Sequence, residues 1–232
     1  MANKKNRGTE TKPVSLITLI DQSSPVSEQY RTIRTNIQFA STIDHEVKTL
    51  VVTSSGPGEG KSTTSANLAV VFASAGQRVL LVDADLRKPT VHKTFSLQNN
   101  VGFSNLLSTK ETMNDVIQPT VVPNLSVLTS GLKPPNPSEL LSSSRMDQLV
   151  RELRGGFDLV IFDMPPVVQV TDAQIMAAKV DGTMLVVREG IAIKESVMKA
   201  QKLLQMVNAN LLGVIYHGTK NAADQGYYYY GA

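Results

Sequence analysis

Short apolar runs of strand length alternate with longer stretches of helical spacing along most of this chain. Residues 50–52, 79–82, 125–128, 159–162, 182–187 and 211–216 are rich in Val, Leu and Ile and too short for helices, so they are predicted as strands. Residues 62–75, 144–153, 171–180 and 193–207, with a shorter piece at 102–107, are predicted as helices. Gly76 and the Gly155-Gly156 pair are expected to end two of these helices, and 134–137 to form a Pro-rich turn. Regular alternation of this kind predicts an α/β fold: a mostly parallel central sheet with helices on both faces.

A further helix is predicted over 27–40. Ser27 would cap it after Pro25, and Ile33, Ile37 and Ala40 recur at the spacing of a buried stripe. Glu28, Arg31 and Arg34 recur every three residues and occupy one flank of that helix. Two readings of the flank stay open: a solvated face with local Glu–Arg pairing, or a self-association surface on which arginine forks grip a neighbour's carboxylates. Residues 1–14 are polar and basic and are expected to be disordered.

The strand at 50–52 leads through Ser54 into SSGPGEGKST, and the helix at 62 follows directly. Strand, Gly-rich turn and helix in that order form a phosphate-binding loop. Gly56, Gly58 and Gly60 let backbone N–H groups close around phosphate oxygens, Lys61 supplies a point charge, and Ser62 offers a hydroxyl to Mg2+. The helix directs its positive end at the same anion. Pro57, Glu59 and Thr63 complete the set of expected nucleotide contacts. The first position of the usual G-x-x-x-x-G-K-[ST] pattern holds Ser55 in place of glycine.

Three carboxylates stand at strand ends, where ligands sit in open parallel sheets. Asp83 and Asp85 follow the run at 79–82, on the same side if the chain stays extended, and Asp163 follows the run at 159–162 before the stiff Pro165-Pro166. Asp85 and Asp163 are candidate magnesium ligands, directly or through water, together with Ser62. Asp83 is a candidate base, although an aspartate near pKa about 3.9 is weak for a phenol near about 10, and Asp83 and Asp85 are open to exchange of roles. Arg87 is a candidate phosphate contact; the alternative is a solvated side chain.

With 232 residues and 41% hydrophobic composition the chain has enough apolar material for one full core. The net charge of +3 comes from Lys4, Lys5, Arg7 and Lys12 against Glu10; the rest of the chain is balanced. No nucleic-acid-binding face is therefore implied. There is no cysteine, which excludes disulfides and thiolate metal sites and is compatible with a reducing compartment. No apolar run approaches the ~18 residues of a membrane span, so any membrane association is expected to come through a partner.

The loop at 55–62, VLLVDADLR at 79–87 and LVIFDMPP at 159–166 resemble the Walker A, A′ and B motifs of bacterial tyrosine kinases, which lie within the deviant P-loop ATPases that include cell-division and chromosome-partitioning ATPases. The partitioning branch usually carries a signature lysine where this chain has Gly56. Two further features resemble the kinase branch: Glu28-x-x-Arg31-x-x-Arg34 matches its ring-forming motif, and Tyr227, Tyr228, Tyr229 and Tyr230 match its terminal tyrosine cluster. Flanked by Gly226 and Gly231, that cluster has neither strand nor helix spacing and suits a flexible tail over 223–232, with the kinase domain over 15–222.

The resemblance implies transfer of the γ-phosphoryl group of Mg-ATP to tyrosine, autophosphorylation of the tail in trans, and a homo-oligomeric ring. It also implies a separate transmembrane activator that recruits a cytoplasmic catalytic subunit to the membrane, protein tyrosine substrates, a cognate phosphatase, and control of capsular or extracellular polysaccharide production. Two other classes stay open: a partitioning-type ATPase switch and a non-catalytic nucleotide-gated scaffold. An adenine contact is expected somewhere in His217-Gly218-Thr219-Lys220-Asn221.

Overall fold

Seven strands among the described residues form one sheet in the order β3-β4-β2-β5-β1-β6-β7. The structure is a computed structural model and describes residues 12–41 and 46–218. The strands are β1 (Thr49–Ser54), β2 (Val79–Asp83), β3 (Ile117–Pro119), β4 (Leu125–Leu128), β5 (Leu159–Asp163), β6 (Gly182–Arg188) and β7 (Leu211–His217). All pair in parallel except β3, which runs antiparallel to β4 at one edge. The predicted α/β architecture is the observed one.

Period-two alternation decides which side chains meet which layer. Leu50, Val52, Leu81, Ile161 and Val186 face one side. There they pack against Tyr30 and Ile37 of α2 (Pro25–Ala40) and against Leu68 and Phe72 of α3 (Lys61–Ser74). The short α1 (Ile17–Ile20) and α4 (Val91–Thr94) complete that layer. Val51, Val82, Val160, Phe162 and Leu185 face the other way. Their partners lie on α5 (Phe103–Ser108), α6 (Met113–Val116), α7 (Pro137–Ser142), α8 (Ser144–Gly156), α9 (Asp172–Ala177) and α10 (Lys194–Met206). Strands β1, β2 and β5 are buried at every position, as strands covered on both faces must be.

Several local expectations are corrected. Helix α2 begins at Pro25, not after Ser27: Ser24 is the cap, accepting from the Ser27 N–H at 3.2 Å, and Pro25 takes the first helical position, where its missing N–H costs nothing. Ala40 is exposed, and the buried stripe is Ser27, Tyr30 and Ile37. Helix α8 runs through Gly155 and Gly156, and the Pro-rich turn gives way to α7 at Pro137. Val14, assigned by composition to the tail, donates its N–H to Thr94 Oγ1 at 3.1 Å. The rest of the basic tail to residue 11 and the tyrosine tail lie outside the described residues.

Two polar anchors hold the layers in register. Asn67 on α3 accepts from the N–H and hydroxyl of Thr18 and donates to the Ser15 carbonyl, tying α1 to the helix that follows the phosphate loop. Asp181, just before β6, accepts from the N–H groups of Lys48 and Thr49 and from the Thr49 hydroxyl, at 2.8–3.0 Å, and pairs with Arg154. Replacing Asp181 with Ala strands those donors at the start of β1. We expect a loss of about 2 kcal/mol in urea-unfolding stability.

Candidate functional site

The site lies at the carboxyl ends of β1, β2 and β5, the three adjacent strands at the middle of the sheet. Strand β1 ends at Ser54, whose hydroxyl donates to the Gly56 carbonyl at 2.7 Å and starts the loop. Ser55, the residue that departs from the expected glycine, is buried and donates its hydroxyl to Glu59 at 2.6 Å and its N–H to the same carboxylate at 3.3 Å. Glu59 thus braces the loop from within. A Cβ at residue 56 would lie 3.0 Å from Glu59 Oε1, so the brace occupies the space that a side chain at position 56 would need.

Gly60 is the N-cap of α3 at φ +94°, and a Cβ there would come within 2.6 Å of the His217 ring. Both the left-handed backbone and the close approach require glycine. His217 ends β7, so the last strand reaches the phosphate loop. Arg188, at the end of β6, reaches it too, donating to the Gly58 carbonyl at 3.2 Å. Burial, and then the nearby Arg188 charge, lower the His217 pKa and favour the neutral ring. Of the stretch expected to touch adenine, only His217 and Gly218 are described.

Lys61 opens α3, and its ammonium sits 3.0 Å from Asp85 Oδ2, 3.7 Å from Asp163 Oδ1 and 3.2 Å from the Ser62 hydroxyl. Burial alone would depress the lysine, but Asp163 and Asp85, with a smaller part from Asp83, outweigh it and raise its pKa. Asp83 and Asp163 are register partners on β2 and β5. One Asp83 oxygen accepts from the N–H groups of Thr90 and Val91 at 3.0 and 2.9 Å; the other, buried, has no partner. Burial and the like charge of Asp163 push Asp83 up to about 8. Asp163 is raised by burial as well, opposed by Lys61, Ser62 and Ser65, and its Oδ2 is also buried without a partner. The extended-chain picture for Asp83 and Asp85 changes: β2 stops at Asp83, and Asp85 sits in a turn that its own carboxylate closes by accepting the Lys88 N–H at 3.0 Å.

Arg87 does not stand free for phosphate. Its fork is held by both oxygens of Asp172, at 2.9 and 3.0 Å, and Asp172 is fully buried at the start of α9. The pair ties the turn carrying Asp85 to the opposite helical layer, 85 residues away in sequence. Nothing in the local pattern around Asp172 signalled it, nor the approach of Arg188 to the loop. The flank of α2 is likewise uneven: Glu28 pairs with Arg31, which also donates to the Gln22 carbonyl, whereas Arg34 turns inward to the Val71 carbonyl in the last turn of α3, at 3.3 Å.

A lysine, a hydroxyl and three carboxylates therefore surround the mouth of a glycine loop at a helix N-terminus, an arrangement suited to a polyphosphate and a divalent cation. The buried oxygens of Asp83 and Asp163 that lack partners fit such a cation or its water shell. Among the described residues no helix is long and apolar enough to cross a membrane.

Comparison with known proteins bears on the same residues. A family model described as an AAA domain matches residues 47–210. The chain is 50% identical over 231 residues, its whole length and 97% of that protein, to the tyrosine-protein kinase YwqD of Bacillus subtilis (strain 168). It is 36% identical over 94% of its length to the tyrosine-protein kinase etk of Escherichia coli (strain K12), a match that takes in 30% of the E. coli protein. The solved kinase domain of E. coli tyrosine kinase ETK superposes with a TM-score of 0.85 at 34% identity, covering 99% of this chain and 89% of that one. The chimerical protein CapA2B2 gives 0.83 at 44% identity, covering 88% and 91%. The septum site-determining protein MinD of Pyrococcus horikoshii, complexed with Mg-ADP, shares the fold at a TM-score of 0.64 and 23% identity, over 75% of this chain and 72% of that one.

Two outcomes follow from the geometry. Replacing Asp172 with Asn leaves the Arg87 fork half-satisfied and should cost about 2 kcal/mol in urea unfolding, a loss that Glu at 172, with its longer stem, should not fully restore. Asp83 in the nucleotide-free fold keeps a proton that the unfolded chain releases from pH about 4 upward, so its contribution to stability is lost as pH rises towards about 8 and is level beyond. Asn at 83 can still accept from Thr90 and Val91. The Tm of Asp83→Asn relative to the parent should therefore climb between pH 5 and pH 8.

Proposed function

Because the chain belongs to the bacterial tyrosine kinases, nucleotide-binding protein-tyrosine kinases built on the P-loop ATPase fold, we propose that it phosphorylates its own Tyr227–Tyr230 cluster, from one subunit into the next, using Mg-ATP. The observation that carries this reading is the meeting of Lys61, Ser62, Asp83, Asp85 and Asp163 at one phosphate loop. When bound, Mg-ATP supplies the phosphoryl group to be transferred and the metal charge that offsets its oxygens.

The chain's residues then have distinct tasks. Lys61 would leave its carboxylates for the β- and γ-phosphates, to which the loop N–H groups of 56 and 58–63 would also donate. Ser62 and a carboxylate, Asp85 or Asp163, would hold the metal. Asp83 takes the phenolic proton on its unpartnered oxygen as the tyrosine oxygen bonds to phosphorus and ADP departs. In the nucleotide-free fold Asp83 is raised to about 8 and holds a proton; the charge of a bound cation would lower that value and free the carboxylate to act as the acceptor. Glu59 contributes through its backbone, its side chain being engaged by Ser55. Arg87 acts by fixing the Asp85 turn.

Around this core we place a homo-oligomeric ring using Glu28, Arg31 and Arg34, a separate transmembrane activator that holds the subunit at the cytoplasmic face, other protein tyrosine substrates and a phosphatase that resets the tail. No role for nucleic acid is proposed. Family resemblance supports control of capsular or extracellular polysaccharide synthesis as the physiological output. Gly56 stands where the partitioning branch usually carries its signature lysine, which speaks against the partitioning-type switch.

Mixing a Lys61→Met chain with an active chain whose four tail tyrosines are Phe tests the trans transfer. With Mg-ATP and the activator's cytoplasmic segment, anti-phosphotyrosine signal should appear on the Lys61→Met chain. Absence of label there, while the parent labels itself, would exclude transfer between subunits; ADP release without phosphotyrosine in the parent would exclude the kinase reading of the tail.

A further inference from the structure

A backbone loop that receives an anion works under a constraint: N–H groups aimed at the ligand cannot also hold the turn together. Residues 56–59 make no backbone–backbone hydrogen bond among the described residues. Side chains hold the loop instead. The Ser54 hydroxyl donates to the Gly56 carbonyl at 2.7 Å, Arg188 donates to the Gly58 carbonyl at 3.2 Å, and Ser55 donates to the Glu59 carboxylate. None of these bonds uses the N–H of Gly56, Gly58 or Glu59.

The three ties differ in kind. Arg188 reaches the loop from its exposed side, and the Ser54 bond closes only two residues. The Ser55–Glu59 tie spans the loop from its first to its fifth position and is sealed, with the two residues 1% and 2% exposed. Both carboxylate oxygens are engaged: Oε1 accepts the Ser55 hydroxyl at 2.6 Å and Oε2 the Ser55 N–H at 3.3 Å. No ion pair among the described residues includes Glu59. A buried carboxyl group without a cation depends on its hydrogen bonds, so Glu59 is bound to Ser55 as firmly as Ser55 to it. The stretch they span needs such a clamp, because glycine at 56 and 58 gives its backbone wide freedom.

We propose that Glu59 is a positioning residue for the nucleotide: through Ser55 it holds the loop in its anion-receiving shape before any phosphate arrives. The N–H groups of Gly56, Gly58 and Glu59 are then already in place, and binding does not have to order them. Serine at the first loop position is the other half of this device. Its hydroxyl supplies the shorter of the two bonds, which glycine there could not make. The inference rests on the nucleotide-binding reading above and assigns Glu59 no contact with the reacting atoms.

Calorimetry with Mg-ADP on the full chain tests it. Ser55→Ala is the cleaner arm, since it removes the hydroxyl donor and leaves the carboxylate; affinity should fall about 3- to 10-fold. Glu59→Ala should lose at least as much, and adding Ser55→Ala to it should change affinity by less than about 2-fold, the shared tie being gone already. Parent affinity in both single variants, or full additivity in the double variant, overturns the proposal. Should Glu59→Ala fail to fold, Ser55→Ala alone decides. Without nucleotide, the Ser55 amide should exchange at least about 10-fold faster in Glu59→Ala than in the parent, while amides of β5 keep their rates. Equal exchange at Ser55, or an acceleration shared by β5, overturns a local positioning role. In tail labelling the KM for ATP should rise with kcat retained; a lower kcat at unchanged KM would count against it. If the parent binds no Mg-ADP, the nucleotide reading itself fails, and exchange at Ser55 still decides whether the clamp exists.

Discussion

A single buried ammonium group organises this molecule. Lys61 stands at the first turn of α3 with Asp85 and Asp163 around it and Asp83 just behind. Three carboxylates against one lysine is an excess of negative charge in a place that water hardly enters, and like charges in a low-dielectric site are costly. The fold answers by holding a proton on Asp83. The same excess of negative charge suits the site to a divalent cation.

The surrounding structure serves to keep those charges in place. Parallel pairing of β2 with β5 sets Asp83 beside Asp163, and pairing of β5 with β1 places both next to the loop that β1 feeds. Buried apolar layers on both faces leave the strands little freedom to shift. Loop and turn are then braced by polar contacts of their own: Ser55 on Glu59, Arg87 on Asp172, Arg188 on the Gly58 carbonyl. Arg34 joins α2 to the C-terminal turn of α3, so the flank that resembles a ring-forming motif is mechanically connected to the helix that carries Lys61.

The chain alone determined the strand and helix alternation, the phosphate loop and the strand-end carboxylates. Each of these is written in neighbouring residues: an apolar run fixes a strand by its length, and the residue after it must emerge at the strand's end. Tertiary structure decided whatever depends on residues far apart. Asp172 looks like an ordinary helix-start aspartate until folding carries Arg87 to it across 85 positions. Ser55 looks like a defect in the loop pattern until its hydroxyl and N–H are seen bonding the Glu59 carboxylate. Asp83 has an ordinary pKa on paper, and only burial beside Asp163 raises it, because desolvation and Coulomb repulsion act through space and leave no mark in local sequence.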